Sequence, residues 1–142
     1  MSREKEQFSE SELPGRLTEL KDIWTLCSTS RKKNAPYKYI AAVYELYCDL
    51  RSNGLVSKTA IRISKLEGLA SRSDRHPIRC IVDATCTADE KSKSRMARAV
   101  RYAHRQKWGE NILDKLKETG GITGCAKEFA RKNKKKRYKS RL

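Results

Sequence analysis

From Lys91 to Trp108 the chain reads KSKSRMARAVRYAHRQKW, eighteen residues holding seven Lys or Arg and no Asp or Glu. Met96, Val100 and Ala103 recur within it at i, i+4 and i+7, a spacing that a helix gathers onto one side. At about 100° per residue, Lys91, Ser94, Arg95, Arg98, Arg101 and Arg105 then share the opposite side. Like charges three and four residues apart each cost about 0.2–0.5 kcal/mol on a helix. Such a face is therefore mildly unfavourable alone. A polyanion removes the repulsion and adds the gain from released counterions. A fold built around this segment has to bury the narrow apolar stripe and leave the cationic face open.

The neighbouring segments supply helices to bury it against. Leu17, Leu20, Trp24 and Cys27 repeat at helical spacing from Pro14 to Cys27. Ile40, Val43, Tyr44, Tyr47 and Leu50 form a second stripe that starts near Pro36 and stops at Gly54, the residue expected just past a helix end. Tyr44 and Tyr47 are expected in the core, with Tyr37 and Tyr39 at its edge. LVSKTAIRISKLEGLA reads as a third helix. Pro77 opens a short one through Ile78, Ile81, Val82 and Thr85, although the β-branched density of IRCIVDA also suits a strand. Thr87-Ala-Asp-Glu90 has the form of a capping box, which would start the basic helix near Ala88 and carry it to Trp108-Gly109. Ile112, Leu113 and Leu116 mark another helix, ended by Gly120-Gly121. Ala126, Phe129 and Ala130 mark a last one, from about Thr123.

The expected fold is all-α: a small bundle of five to seven short helices with a helix-turn-helix-like unit and disordered termini. Residues 1–12 are expected to be a disordered N-terminus and 13–132 a single helical domain. RKNKKKRYKSRL has too little apolar content to pack, so 133–142 reads as a disordered basic tail.

A short helix, a break at Cys86-Thr87-Ala88 and a longer basic helix resemble the helix-turn-helix DNA-binding proteins over Pro77 to Trp108. In that family the second helix enters the major groove and its first residues meet base edges. The resemblance implies base contacts from Lys91, Lys93, Ser94, Arg95 and Arg98, and phosphate contacts from Arg101 and Arg105. LKETGGITGCAKEF is a second helix–turn–helix, but Glu128 interrupts its cations Lys127, Arg131 and Lys132, so it ranks as a packing pair first.

Net charge agrees with a polyanionic partner. The chain carries +16, and residues 1–30 contribute −2 of it (four basic, six acidic), leaving +18 for the remainder. Lys134, Lys135, Lys136 and Arg137 extend the cationic surface into the tail. No apolar run approaches the ~18 residues a membrane span needs, so no membrane is expected, and the setting is expected to be cytoplasmic and nucleoid-associated. The five cysteines include no CxxC pair, and His76, Cys80, Cys86 and Cys125 fit no zinc spacing. No cofactor or metal is expected. Asp83 stands alone and Asp89 and Glu90 are explained by the cap, so the carboxylate cluster of a nuclease is missing, and the chain is not expected to be an enzyme. The leading expectation is a sequence-specific binder of double-stranded DNA, such as a bacterial transcriptional regulator or a mobile-element or plasmid maintenance factor, with a homodimer compatible with it. The alternatives are an RNA-binding or ribosome-associated protein, and an adaptor that holds a protein partner through residues 13–27.

Overall fold

The computed structural model describes residues 10–29, 36–55 and 76–141. The fold is all-α, and among the described residues there is no strand. Among the described residues six α-helices follow in order: α1 Leu13–Ser28, α2 Pro36–Ser52, α3 Pro77–Thr85, α4 Glu90–Arg105, α5 Ile112–Glu118 and α6 Gly121–Arg141. Short 3-10 turns, Glu10–Glu12 and Gly109–Asn111, lead into α1 and α5. No helix among the described residues is long and apolar enough to cross a membrane.

The apolar periodicities become the core. Leu13, Leu17, Leu20 and Cys27 of α1 are buried against α2, where Tyr39, Ile40, Val43, Leu46 and Leu50 lie fully inside. Tyr44 and Tyr47 are core residues as expected. Tyr39 is not at the edge: it is 0% exposed, and its hydroxyl donates to Thr85 Oγ at 2.6 Å, while Thr85 donates to the Ile81 carbonyl. A buried phenol needs such a partner, and a hydroxyl on the next helix cannot be foreseen from spacing within α2. Burial raises the Tyr39 pKa well above its ordinary value.

Local signals set the helix ends. α2 stops in a Schellman turn: the Leu55 amide donates to the Leu50 carbonyl, the Gly54 amide to Arg51, and Gly54 takes φ +66°, which favours glycine. The 77–85 segment is helix, not strand. Pro77 sits in its first turn, the His76 ring accepts from the Ile78 amide at 3.1 Å, and Ile78, Ile81, Val82 and Thr85 turn inward together.

The capping box is corrected. The cap of α4 is Asp89, whose carboxylate accepts from the Ser92 amide at 2.8 Å. Thr87 instead accepts from the Trp24 indole at 2.9 Å and so ties α1 to the α3–α4 link. Glu90 turns to Arg79. Two candidate caps stood two residues apart, and the tertiary bond to Trp24 engages one of them. At its other end α4 stops earlier than the Trp108-Gly109 signal, at Arg105, because Lys107 takes the left-handed conformation (φ 54°) and the Trp108 amide returns to the Ala103 carbonyl.

The last helix, α6, runs from Gly121 to Arg141. No Gly or Pro follows Gly124, and Lys and Arg are good helix formers that suit a helix C-terminus. The third expected helix, LVSKTAIRISKLEGLA, falls almost entirely outside the described residues, as do residues 1–9 of the N-terminal stretch.

Candidate nucleic-acid interface

Packing decides how much of α4 remains open. Met96, Ala97, Ala99, Val100, Tyr102 and Ala103 are all buried, because α4 packs on α2, α3 and, most closely, α6. The buried side is wider than the stripe expected from Met96, Val100 and Ala103 alone. What remains is a narrow outward arc. Beyond Glu90, the exposed side chains of α4 are Lys91, Arg95, Arg98 and Arg105, and every one is cationic.

The other expected contact residues divide into two groups. Lys93 points away from the arc, with its ammonium 3.4 Å from both Asp83 and Glu90. Its charge is spent within the fold. Ser94 is half-buried and accepts from Arg79 at 2.8 Å. Arg101 is half-buried and Arg105 exposed, and their guanidinium carbons lie 4.7 and 4.5 Å from the centre of the Phe129 ring of α6. These two arginines are held as a pair on an aromatic platform rather than waving in solvent. Lys134, Lys135, Lys136 and Arg137 ride on the helical backbone of α6, and their side chains lie outside the described residues.

Sequence reading missed the contribution of α3. Arg79 donates through Nε to Asp83 at 2.9 Å, through one terminal nitrogen to Ser94, and through the other to Glu90. Burial opposes its charge, but these carboxylates outweigh burial and raise its pKa. The same bond to Arg79 lowers the Glu90 pKa. Glu90 is thereby neutralised internally, by Arg79 and Lys93, while Asp89 keeps its charge at the cap, on the Ser92 amide. The i, i+4 spacing of Arg79 and Asp83 was visible in sequence; the reach to Ser94, fifteen residues on, was not.

The start of α3 and the middle of α4 also enclose a cleft of about 330 Å³, lined by His76, Arg79, Ser94, Ala97, Arg98 and Arg101. Burial, with the charges of Arg101, His104, Arg105 and Arg51 around it, depresses the His76 pKa to about 4. Arg101 is pushed below its ordinary value by burial and by Arg105, and His104 is lowered by burial and by Arg51. Cationic groups from α2, α3 and α4 are thus gathered around His76. Among the described residues, no three His, Cys, Asp or Glu side chains converge as metal ligands would.

On α6, Lys132 lies 5.2 Å over the Tyr102 ring, and Arg131 is paired with Glu128 at 2.7 Å. The second helix–turn–helix, α5 and α6, is joined by a tight glycine turn in which a Cβ on Gly124 would drive into the Thr119 carbonyl oxygen. Among its described side chains, Lys115 and Arg131 are ion-paired with Glu118 and Glu128. No family model matches this chain, and neither the curated proteins nor the solved structures include a match to it.

Proposed function

We propose that the chain binds double-stranded DNA through the outward arc of α4, as a sequence-specific regulator or maintenance factor. One observation carries the reading: beyond Glu90, every exposed side chain of α4 is Lys or Arg. A merely solvated helix gains by mixing acids into its surface, and α4 does the opposite: of the carboxylates beside it, Asp83 and Glu90 are tied to Arg79 and Lys93, and Asp89 is engaged as the helix cap. Lys91, Arg95 and Arg98 occupy the first half of the helix, where a major-groove helix meets base edges. An arginine there reads guanine through two parallel hydrogen bonds. Arg105, stacked on Phe129 with Arg101, suits the phosphate backbone.

The test is selection of duplexes from a random pool, followed by anisotropy titrations at fixed salt. Arg95→Ala and Arg98→Ala should each cost about 1–3 kcal/mol on the selected duplex and relax preference at one position. Arg105→Ala should weaken all duplexes alike. Tighter binding to structured RNA than to any duplex would transfer the reading to RNA. Loss of binding on substitution of Lys127, with the α4 variants silent, would transfer it to α6.

A further inference from the structure

The cleft between α3 and α4 is more than a dent beside the basic arc. Its walls bring a serine hydroxyl, three guanidiniums and an imidazole to one concavity. The Arg79 fork is committed to Asp83, Ser94 and Glu90, so Arg79 acts as a fixed wall. Ser94 accepts from Arg79 and keeps its own proton to donate. His76 spends Nδ1 on the Ile78 amide, which leaves Nε2 as the ring nitrogen that can carry a proton for donation. Arg98 and Arg101 have no carboxylate within ion-pair reach among the described residues, and the charges that act on Arg101 include Arg98 and Arg105.

We propose that this cleft seats one phosphoryl group, held by Arg98 and Arg101 with hydrogen bonds from Ser94 and His76. Three features select that chemistry. The donors outnumber the acceptors, so the ligand must be rich in acceptor oxygens. Guanidinium forks match the oxygens of a phosphate in pairs. The volume admits a phosphoryl group and several waters, at roughly 30 Å³ per water. A bound anion also relieves the repulsion that Arg98 exerts on Arg101. The phosphoryl group has two sources, a nucleic-acid strand or a free phosphate ester; the first of these rests on the duplex-binding reading and moves Arg98 from a base edge to a phosphate, so that its loss would then weaken all duplexes alike.

The experiment follows the Arg Nε–Hε resonances of the full chain by NMR during titration with inorganic phosphate, with acetate at matched ionic strength as control. The expected result is a saturable shift at Arg98 and Arg101 with phosphate and a weak, linear one with acetate. Arg101→Gln should lower the phosphate affinity tenfold or more, and Ser94→Ala, which leaves the charge intact, severalfold. Equal responses to phosphate and acetate, or unchanged affinity in both variants, overturn the seat. The same titration with a duplex already bound separates the sources: a blocked response to phosphate assigns the seat to a strand, and an unchanged one to a free ester. Saturable phosphate binding in a chain that binds no duplex would sink the DNA reading and leave the seat standing.

Discussion

Arg101 of α4 holds its guanidinium carbon 4.7 Å from the centre of the Phe129 ring of α6, and that ring is only 3% exposed. One residue therefore serves the core and the cationic face together. Phe129 packs with Cys125 and Leu116 in the core cluster, while Arg101 and Arg105 rest on it from outside.

Replacing Phe129 separates these two roles. Phe129→Ala should cost about 3–5 kcal/mol in urea unfolding, the range for truncating a buried aromatic. Phe129→Leu keeps most of the apolar volume and removes the ring. A cycle of Phe129→Leu with Arg101→Gln should give a coupling of about 0.5–1 kcal/mol. No coupling would mean the ring only fills space.

The α4 cap can be located by amide hydrogen exchange. Asp89→Ala should speed exchange at Ser92, whose amide the carboxylate accepts from at 2.8 Å. Thr87→Ala should leave that amide alone and change the environment of the Trp24 indole N–H, its actual partner. The reverse pattern would restore the capping box.

Two glycines should respond to alanine with opposite signs. At Gly15, within α1, a Cβ meets nothing within 4 Å, so Gly15→Ala should stabilise by about 0.5–1 kcal/mol. At Gly124 the same methyl would strike the Thr119 carbonyl, and the turn between α5 and α6 must open to admit it. Gly124→Ala should cost about 1–3 kcal/mol, typical of overpacking. Thermal melts of the two variants check both signs.

These residues show how far the sequence was legible. The helices of α1, α2 and α3 follow from apolar spacing and from Pro and Gly at their ends, because those signals act within a single turn. The cationic arc of α4 was legible for the same reason. What sequence did not reveal depends on partners far along the chain. Tyr39 is central because Thr85 meets its hydroxyl, Thr87 fails as a cap because Trp24 takes its oxygen, and Lys93, which spacing already sets off the cationic side, is paired with Asp83 of α3. The cleft needs His76 and Arg79 from α3 beside Arg98 and Arg101 from α4, and no spacing rule joins them.

Acid should destabilise the fold before its carboxylates titrate. The folded-state pKa of His76, about 4, lies below its ordinary 6.5, so between those values the unfolded chain binds the extra proton. Stability then rises with pH across that window and is lost as pH falls through it. His104 is shifted in the same direction. Exposed carboxylates such as Glu90, with pKa values lowered from 4.5, add their own loss only below that point. His76→Asn keeps a side chain able to cap α3 and removes the titration. Its stability should vary less between pH 6.5 and 4.5 than that of the parent, measured by urea unfolding. An identical slope would place the titrating group elsewhere.

The C-terminal half of α6 should contribute affinity and little specificity. From Lys127 to Arg141 there are nine basic residues and one acidic, and the backbone is helical throughout. A helix of about 20 residues spans about 30 Å, so these cations form an extended arm rather than a point contact. Beyond Ala130, Tyr138 and Leu142 are the only apolar residues, which leaves the arm little with which to read a groove. Its gain must come from counterion release, where each neutralised phosphate adds about 0.9 to the slope of log affinity against log salt. Deleting residues 133–142 removes Lys134, Lys135, Lys136, Arg137, Lys139 and Arg141. The slope should fall by several units, and selected and random duplexes should weaken by a similar factor. The deciding quantity is the ratio of specific to non-specific affinity at one salt concentration. If truncation changes that ratio about tenfold or more, the arm reads groove shape, as minor-groove arms do, and its role is recognition rather than charge.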